Sequence, residues 1–165
     1  MRVGLWMAQG FGAGRVPVAP GTFGTLVGLI WFAALLAAGE FWVFLVGAFA
    51  APFFSVWCCG VAERALGKPD PGSVVMDEIV AVPLCFLAPV LAEYSRSGEL
   101  ISVDVFFGSA GWYWTLAGFG LFRLFDVWKP WPVGKSQSLP GGWGVTADDL
   151  LASVYVNLCF LPFVV

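Results

Sequence analysis

The sequence predicts an all-α membrane protein, a polytopic bundle of about four to five apolar helices whose polar residues gather at the helix ends. Of the 165 residues, 59% are hydrophobic and 12% are charged, whereas soluble domains carry ~25% charged residues. The mean hydropathy is +0.86, and the few charges are clustered between long uncharged runs. We expect one domain spanning residues 1–165.

Five apolar runs are candidates for membrane segments, which need about 20 residues with a range of ~17–25. Phe41–Ala62 and Val105–Phe122 carry no charge and are the clearest spans. The other three are shorter and also fit buried or partly embedded helices, which ~10–14 apolar residues can form. These three runs are Phe23–Ala38, Ile79–Ala92 and Leu150–Val165.

Basic residues are divided unequally between the two sets of connecting segments. Residues 1–22, 63–78 and 123–149 together carry seven of the eight, and 93–104 carries only Arg96. Cytoplasmic loops of membrane proteins carry the excess of Lys and Arg. The sequence therefore predicts that the polar segments, and any site they form, lie at the cytoplasmic helix ends.

The composition disfavours several classes of function. No histidine occurs, which removes His-based catalytic triads and most zinc sites. The four cysteines form no CxxC motif and lie in apolar runs, where a free cysteine behaves as a small hydrophobe. No basic stripe suited to nucleic acid is present, and nothing indicates a protein partner.

The first polar stretch, GFGAGRVPVAPGTFGT, spans Gly10 to Thr25. Its glycines and prolines indicate a shaped loop, and Gly21 to Thr25 opens a helix. Backbone amides at a helix N-terminus bind anions, and threonine hydroxyls add donors. The alternative is an ordinary helix cap with Thr22 as the N-cap residue.

The second stretch, AERALGKPDPGSVVMDEIV, contains Asp70 and the adjacent acids Asp77 and Glu78. Carboxylate ligands without His or Cys suit Mg²⁺ or Mn²⁺. The alternative is a solvated helix start, where the helix dipole favours acids. Because the chain is deeply apolar from Ile79 onward, we expect these carboxylates near the membrane boundary.

The third stretch runs from Phe119 to Asp149. Arg123 and Asp126 are spaced i, i+3, so a local salt bridge on one helix face is one explanation. Asp148 and Asp149 repeat the pattern of an acidic pair heading an apolar helix. Two such pairs on one side of a membrane, together with Asp126, predict a metal site built from several carboxylates.

Together these stretches resemble the phosphatidylglycerophosphatase A family. The matching pieces are GFGAGRVPVAPGTFGT, AERALGKPDPGSVVMDEIV, AGFGLFRLFDVWKPWP and GGWGVTADDLLA, in the family's order over roughly Gly10 to Ser153. The resemblance implies a mostly helical, multi-pass enzyme of the bacterial inner (cytoplasmic) membrane. It implies Mg²⁺-dependent hydrolysis of the phospholipid phosphatidylglycerophosphate to phosphatidylglycerol and inorganic phosphate.

The reaction implied by the resemblance suggests roles for the polar residues. The expected Mg²⁺ ligands are Asp77, Glu78, Asp148 and Asp149. Arg123 and Lys129 are expected to neutralise the phosphate, and Asp126 is expected to serve as a further metal ligand or as a base. The expected substrate-binding residues are Gly21, Thr22, Thr25 and Arg15. The metal would polarise the phosphoryl group and lower the pKa of a bound water.

The chain departs from the family pattern at three places, none of which removes a carboxylate of the site. Ala81 stands where Gly is common, Ala152-Ser153 stands where Ala-Gly is frequent, and residues 134–140 lack an acid that many members carry. One alternative function is a phosphatase of another lipid or of a soluble phosphate ester. Another is a small divalent-cation transporter, whose carboxylates should lie near the bilayer midplane.

Overall fold

The computed structural model describes residues 2–164, and within that range the chain is helical and contains no strand. The predicted all-α class is therefore confirmed. The helices are α1 (Arg2–Ala8), α2 (Pro20–Ala37), α3 (Phe41–Leu66), α4 (Met76–Cys85), α5 (Leu87–Ser97), α6 (Asp104–Phe107), α7 (Trp112–Trp128), α8 (Val133–Ser136) and α9 (Gly142–Val164). A 3-10 helix, Gly10–Arg15, lies between α1 and α2.

The short helix α4 is the centre of the structure. All ten of its residues are buried, and it packs against α2, α3, α7 and α9. Apart from Asp77 and Glu78 its side chains are apolar, and a helix that is apolar all round is stable only when it is enclosed. The first turn of α4 therefore places two acids inside the protein.

Glycines on α2 allow this helix to lie directly against α4. A Cβ atom added at Gly24 would be 2.7 Å from the Cβ of Val75, and one at Gly28 would be 2.6 Å from Cγ2 of Val82. Small residues of this kind let helix backbones approach closely within membranes. The result is a tight pair of helices whose first turns lie side by side.

Three helices in the described range, α2, α3 and α9, are long and apolar enough to cross a membrane. They correspond to the predicted segments Phe23–Ala38, Phe41–Ala62 and Leu150–Val165. The predicted segment Ile79–Ala92 is divided between α4 and α5, and the predicted segment Val105–Phe122 is divided between α6 and α7. The predicted count of four to five spanning helices is therefore not confirmed.

The segment divided between α4 and α5 is interrupted at Phe86. Pro89 explains the interruption, because a proline has no N–H to donate and its ring clashes with the carbonyl group four residues earlier. Asn157 of α9 satisfies two backbone groups at this point. Its Oδ1 accepts from the N–H of Ala88 at 2.6 Å, and its Nδ2 donates to the carbonyl oxygen of Leu84 at 2.7 Å.

The prediction of one continuous helix over Val105–Phe122 is wrong. Helix α6 ends at Phe107, and α7 begins only at Trp112. A Cβ atom on Gly111 would overlap the carbonyl oxygen of Val105. The chain makes a tight turn at this point, and glycine is the residue that fits it.

The prediction that Asp148 and Asp149 head the last helix is also wrong. Helix α9 begins at Gly142, well before Leu150, so this acidic pair lies in its second turn. A Cβ atom on Gly142 would be 2.7 Å from the backbone nitrogen of Gly60 on α3. The missing side chain lets α9 start against α3 and carry the acids into the protein interior.

Candidate metal centre

Three carboxylates from two helices meet beside the first turn of α4. Asp77 and Glu78 lie in that turn, and Asp149 lies in the second turn of α9. One carboxylate oxygen from each lies within 4.8 Å of the others. The three residues are 6%, 9% and 2% exposed, so the alternative of a solvated helix start does not hold for the α4 pair.

The start of α2 lies against the carboxylate cluster. A Cβ atom on Gly21 would overlap Oε1 of Glu78 and would lie 2.9 Å from Nη1 of Arg123. Gly21 therefore gives the backbone of α2 room to lie beside both charged groups. Among the residues expected to bind substrate, Gly21 is the one that the structure places against the carboxylates.

Burial changes the acidity of the α4 pair. It raises the pKa of Asp77 to about 6, with a hydrogen bond from Glu78 opposing the rise and the charge of Asp148 adding to it. Burial also raises the pKa of Glu78, and the neighbouring charge of Asp77 raises it further. Removing a carboxylate from water disfavours its charged form, and a second carboxylate nearby does the same.

Two oxygens of this pair, Asp77 Oδ1 and Glu78 Oε2, are buried and have no hydrogen-bond partner among residues 2–164. Buried charged oxygens are normally hydrogen-bonded, paired with a cation or bound to a metal. An all-oxygen ligand set is the kind that Mg²⁺ prefers. The residues present therefore fit a hard divalent cation.

Arg123 of α7 lies at the edge of the cluster. Its Nη1 is 2.7 Å from Oδ2 of Asp126, as the i, i+3 spacing predicted, and 3.7 Å from Oε1 of Glu78. The local salt bridge is therefore present, and the same guanidinium also faces the metal-binding group. Arg123 and Asp126 are partly exposed, with side-chain exposures of 21% and 14%.

Asp148 has a different set of partners from the other three predicted ligands. Its Oδ2 accepts from Nζ of Lys129 at 2.5 Å and from Nε2 of Gln137 at 3.0 Å. Its Oδ1 accepts from the backbone N–H of Asp149 at 3.1 Å. Asp148 does not belong to the three-carboxylate group, and its role as a fourth ligand remains a prediction.

The hydrogen bond to Asp148 holds the side chain of Lys129 in place. This residue follows the last residue of α7 with a left-handed backbone (φ 48°), and Pro130 prevents the helix from continuing. Burial lowers the pKa of Lys129, but the hydrogen bond and charge of Asp148 outweigh that effect, so the pKa is raised overall. Lys129 is therefore a fixed positive charge beside the carboxylates.

The other three residues expected to bind substrate already form hydrogen bonds within the protein. Thr25 is fully buried and donates its hydroxyl proton to the carbonyl oxygen of Gly21 at 2.8 Å. The backbone N–H of Thr22 donates to Ala19, which is the N-cap residue of α2, so the alternative with Thr22 as N-cap is wrong. Nε of Arg15 donates to Oε1 of Gln9 at 2.8 Å. Their contacts with substrate remain predictions.

Gln137 is a site residue that the sequence analysis missed. Its Nε2 donates to Asp148 and also, at 3.4 Å, to Oδ2 of Asp70. The backbone N–H of Asp70 in turn donates to Oε1 of Glu63 at 3.1 Å. A lone glutamine in a loop gives no pattern to recognise, because its importance comes from what the fold places beside it.

The fold and the cluster define a class of protein: a helical membrane protein with a buried carboxylate centre that can hold a hard divalent cation and has two cationic side chains at its edge. The family model for phosphatidylglycerophosphatase A matches residues 6–164. The chain therefore belongs to the phosphatidylglycerophosphatase A family, whose members are phosphoric monoester hydrolases.

Curated relatives agree with this assignment. The chain is 36% identical to Phosphatidylglycerophosphatase A of Haemophilus influenzae, over 90% of this chain and 81% of that protein. It is 30% identical to Phosphatidylglycerophosphatase A of Escherichia coli, over 90% of this chain and 76% of that protein. It is also 36% identical to a Putative phosphatidylinositol-3-phosphatase of Bacteroides thetaiotaomicron, over 90% and 86% respectively. No solved structure matches the chain.

Proposed function

We propose that this protein is a Mg²⁺-dependent phosphatase that hydrolyses phosphatidylglycerophosphate to phosphatidylglycerol and inorganic phosphate. Two relatives carry the name of that activity. The observation that carries the proposal is the buried group of Asp77, Glu78 and Asp149, with two carboxylate oxygens that lack a protein partner in the described range.

Charge balance supports a metal requirement. The site contains five carboxylates, including those of Asp126 and Asp148, against the two cations Arg123 and Lys129. A phosphate monoester is itself a dianion near neutral pH, and so many carboxylates would repel it. A divalent cation held among them would offset most of this excess negative charge and favour binding of the substrate.

Each residue has a definite part in this mechanism. Asp77, Glu78 and Asp149 would hold Mg²⁺, and the bound metal would polarise the phosphoryl group and acidify a water molecule. Arg123 and Lys129 would bind the phosphate oxygens and stabilise the negative charge that develops on them. Asp126, oriented by Arg123, would accept the proton of the attacking water.

The alternative substrate is the phosphate monoester of another phospholipid. The specific observation in its favour is the Bacteroides thetaiotaomicron relative, whose name refers to a phosphatidylinositol phosphate and whose identity to this chain equals that of the Haemophilus influenzae relative. The carboxylate centre would serve either substrate, because both present a terminal phosphate.

Phosphate release by the detergent-solubilised protein tests both parts of the proposal. We expect release from phosphatidylglycerophosphate that stops in EDTA and returns with Mg²⁺ or Mn²⁺. Full activity in EDTA, or activation by Zn²⁺ alone, contradicts the metal proposal. Faster release from phosphatidylinositol 3-phosphate under the same conditions favours the alternative substrate.

We also propose that the centre faces the cytoplasm of a bacterial inner membrane, because the segments that form it carry the basic residues. Single cysteines at Gly72, Lys135 and Ser97, all exposed positions, can be introduced after the native cysteines are replaced. An impermeant thiol reagent added to intact cells should label position 97 and spare the other two. Labelling at 72 or 135 contradicts this orientation.

A further inference from the structure

A polar pocket of about 380 Å³ lies next to the carboxylate centre and has no assigned role. One wall is the end of α3 and the turn that follows it, and the other is the loop before α9 and its first residues. The polar side chains that line it are Glu63, Arg64, Lys68, Asp70 and Gln137.

Both acids of this pocket accept hydrogen bonds from uncharged protein donors, whereas neither of its bases forms an ion pair in the part of the chain that the structure describes. Oε1 of Glu63 accepts from the backbone of Asp70, and Oδ2 of Asp70 accepts from Gln137. Arg64 and Lys68 are exposed and form no salt bridge with any carboxylate of residues 2–164. Arg and Lys with free donors are the side chains that bind phosphate oxygens.

Gln137 connects the pocket to the metal centre. Its amide group lines the pocket and donates to Asp148, the neighbour of Asp149. Val145 also lines the pocket, and it precedes Asp149 by four residues, which is about one helical turn or ~6 Å along α9. A phosphate group could therefore lie in the pocket while another occupies the metal centre.

We propose that this pocket is a second phosphate-binding subsite, with Arg64 and Lys68 as its cationic ligands. Two sources share the required chemistry. One is inorganic phosphate, which the carboxylate-rich centre would repel towards the cations of this pocket. The other is the phosphodiester of the substrate, which in phosphatidylglycerophosphate is joined to the terminal phosphate through glycerol. Both sources rest on the proposed phosphatase function.

Direct binding tests the subsite independently of turnover. Equilibrium dialysis of radiolabelled inorganic phosphate in EDTA, with the full chain in detergent, avoids phosphate bound through a metal. We expect Arg64→Gln and Lys68→Ala each to weaken binding at least five-fold, and Lys68→Arg to retain it. The matched control is Lys135→Ala, which removes an exposed cation of α8 that does not line the pocket.

Kinetics in Mg²⁺ then identify the source. A raised inhibition constant for inorganic phosphate with an unchanged KM for lipid assigns the pocket to the product. A raised KM with unchanged product inhibition assigns it to the phosphodiester. If neither pocket variant binds phosphate less tightly than Lys135→Ala, the subsite is refuted. If the wild-type protein hydrolyses no phosphatidylglycerophosphate, the proposed function fails, but dialysis still decides whether the subsite exists.

Discussion

The acidic pairs Asp77-Glu78 and Asp148-Asp149 look alike in the sequence, but the structure uses them differently. Both acids of the α4 pair contribute to the three-carboxylate group, whereas the α9 pair contributes only Asp149. Asp148 accepts hydrogen bonds from Lys129 and Gln137 instead. Adjacent residues on a helix point about 100° apart, so one can face the centre of the bundle while its neighbour faces a loop.

The difference between the pairs follows from their surroundings. The first turn of α4 is enclosed by other helices, so both of its acids are buried among protein groups. The second turn of α9 has the helix bundle on one side and the end of α7 with its following loop on the other. The lesson is that a repeated acidic pair need not supply two metal ligands each time.

The largest expected effect is the loss of a residue in the three-carboxylate group. Asp149→Asn and Asp77→Asn should each lower turnover by ~100-fold or more, equivalent to about 2.7 kcal/mol, because each removes a charged ligand. Raising Mg²⁺ should restore part of the activity by mass action. Turnover across a Mg²⁺ titration measures both effects, with folding checked by circular dichroism.

The control for these variants is Glu99→Gln, which changes an exposed acid of another loop and should leave turnover unchanged. Folded Asn variants at both 77 and 149 with near-normal turnover at low Mg²⁺ would overturn the metal assignment.

A smaller loss is expected from Asp148→Asn. This change weakens the hold on Lys129 without removing a member of the three-carboxylate group, so we expect a loss of ~10-fold, about 1.4 kcal/mol, with the Mg²⁺ requirement unchanged. The same titration measures it. If the Mg²⁺ requirement rises as strongly as in Asp149→Asn, Asp148 is the fourth ligand and the contrast between the pairs disappears.

Gly21 tests how closely α2 must approach the α4 pair. In Gly21→Ala the new methyl group meets Glu78 and Arg123, and overpacking of this kind costs ~1–3 kcal/mol. We expect a lower melting temperature and a several-fold loss of turnover. Gly120→Ala is the matched control, because no atom lies within 4 Å of its new methyl group. Equal behaviour of the two variants would show that the close approach at Gly21 is unimportant.

The last expected effect concerns the pH dependence of stability and not turnover. The pKa of Asp77 is about 6 in the folded protein against an ordinary 3.8, so its charged form destabilises the metal-free fold. Stability should therefore fall as pH rises from 4.5 to 7, by roughly 2 kcal/mol. Mg²⁺ should reduce this slope by binding the charged form. Thermal melting in detergent with EDTA or Mg²⁺ measures it, and metal-free stability that rises over this range would contradict the assignment.

Some features of the molecule could be predicted from the sequence because they depend on local composition. Apolar runs such as Phe41–Ala62 predict helices in a membrane, since a backbone without water must form its hydrogen bonds internally. The Arg123–Asp126 contact follows from i, i+3 spacing and is present at 2.7 Å. The acids at the start of α4 were also located correctly, because they border an apolar run.

Other features depend on contacts between distant parts of the chain and could not be predicted in this way. The start of α9 at Gly142 depends on the backbone of α3, and the interruption at Phe86 is stabilised by Asn157 from α9. Gln137 became recognisable only when the fold placed it between Asp70 and Asp148.

The sequence by itself determined that this chain is a helical membrane protein and that Asp77 and Glu78 lie at a helix start beside an apolar run. Charge and hydropathy act through the solvent, so their effect can be read residue by residue. Only the tertiary structure decided that Asp149 joins Asp77 and Glu78 while Asp148 holds Lys129. That choice depends on where α9 begins, and Gly142 fixes this point by its close packing against the backbone of α3.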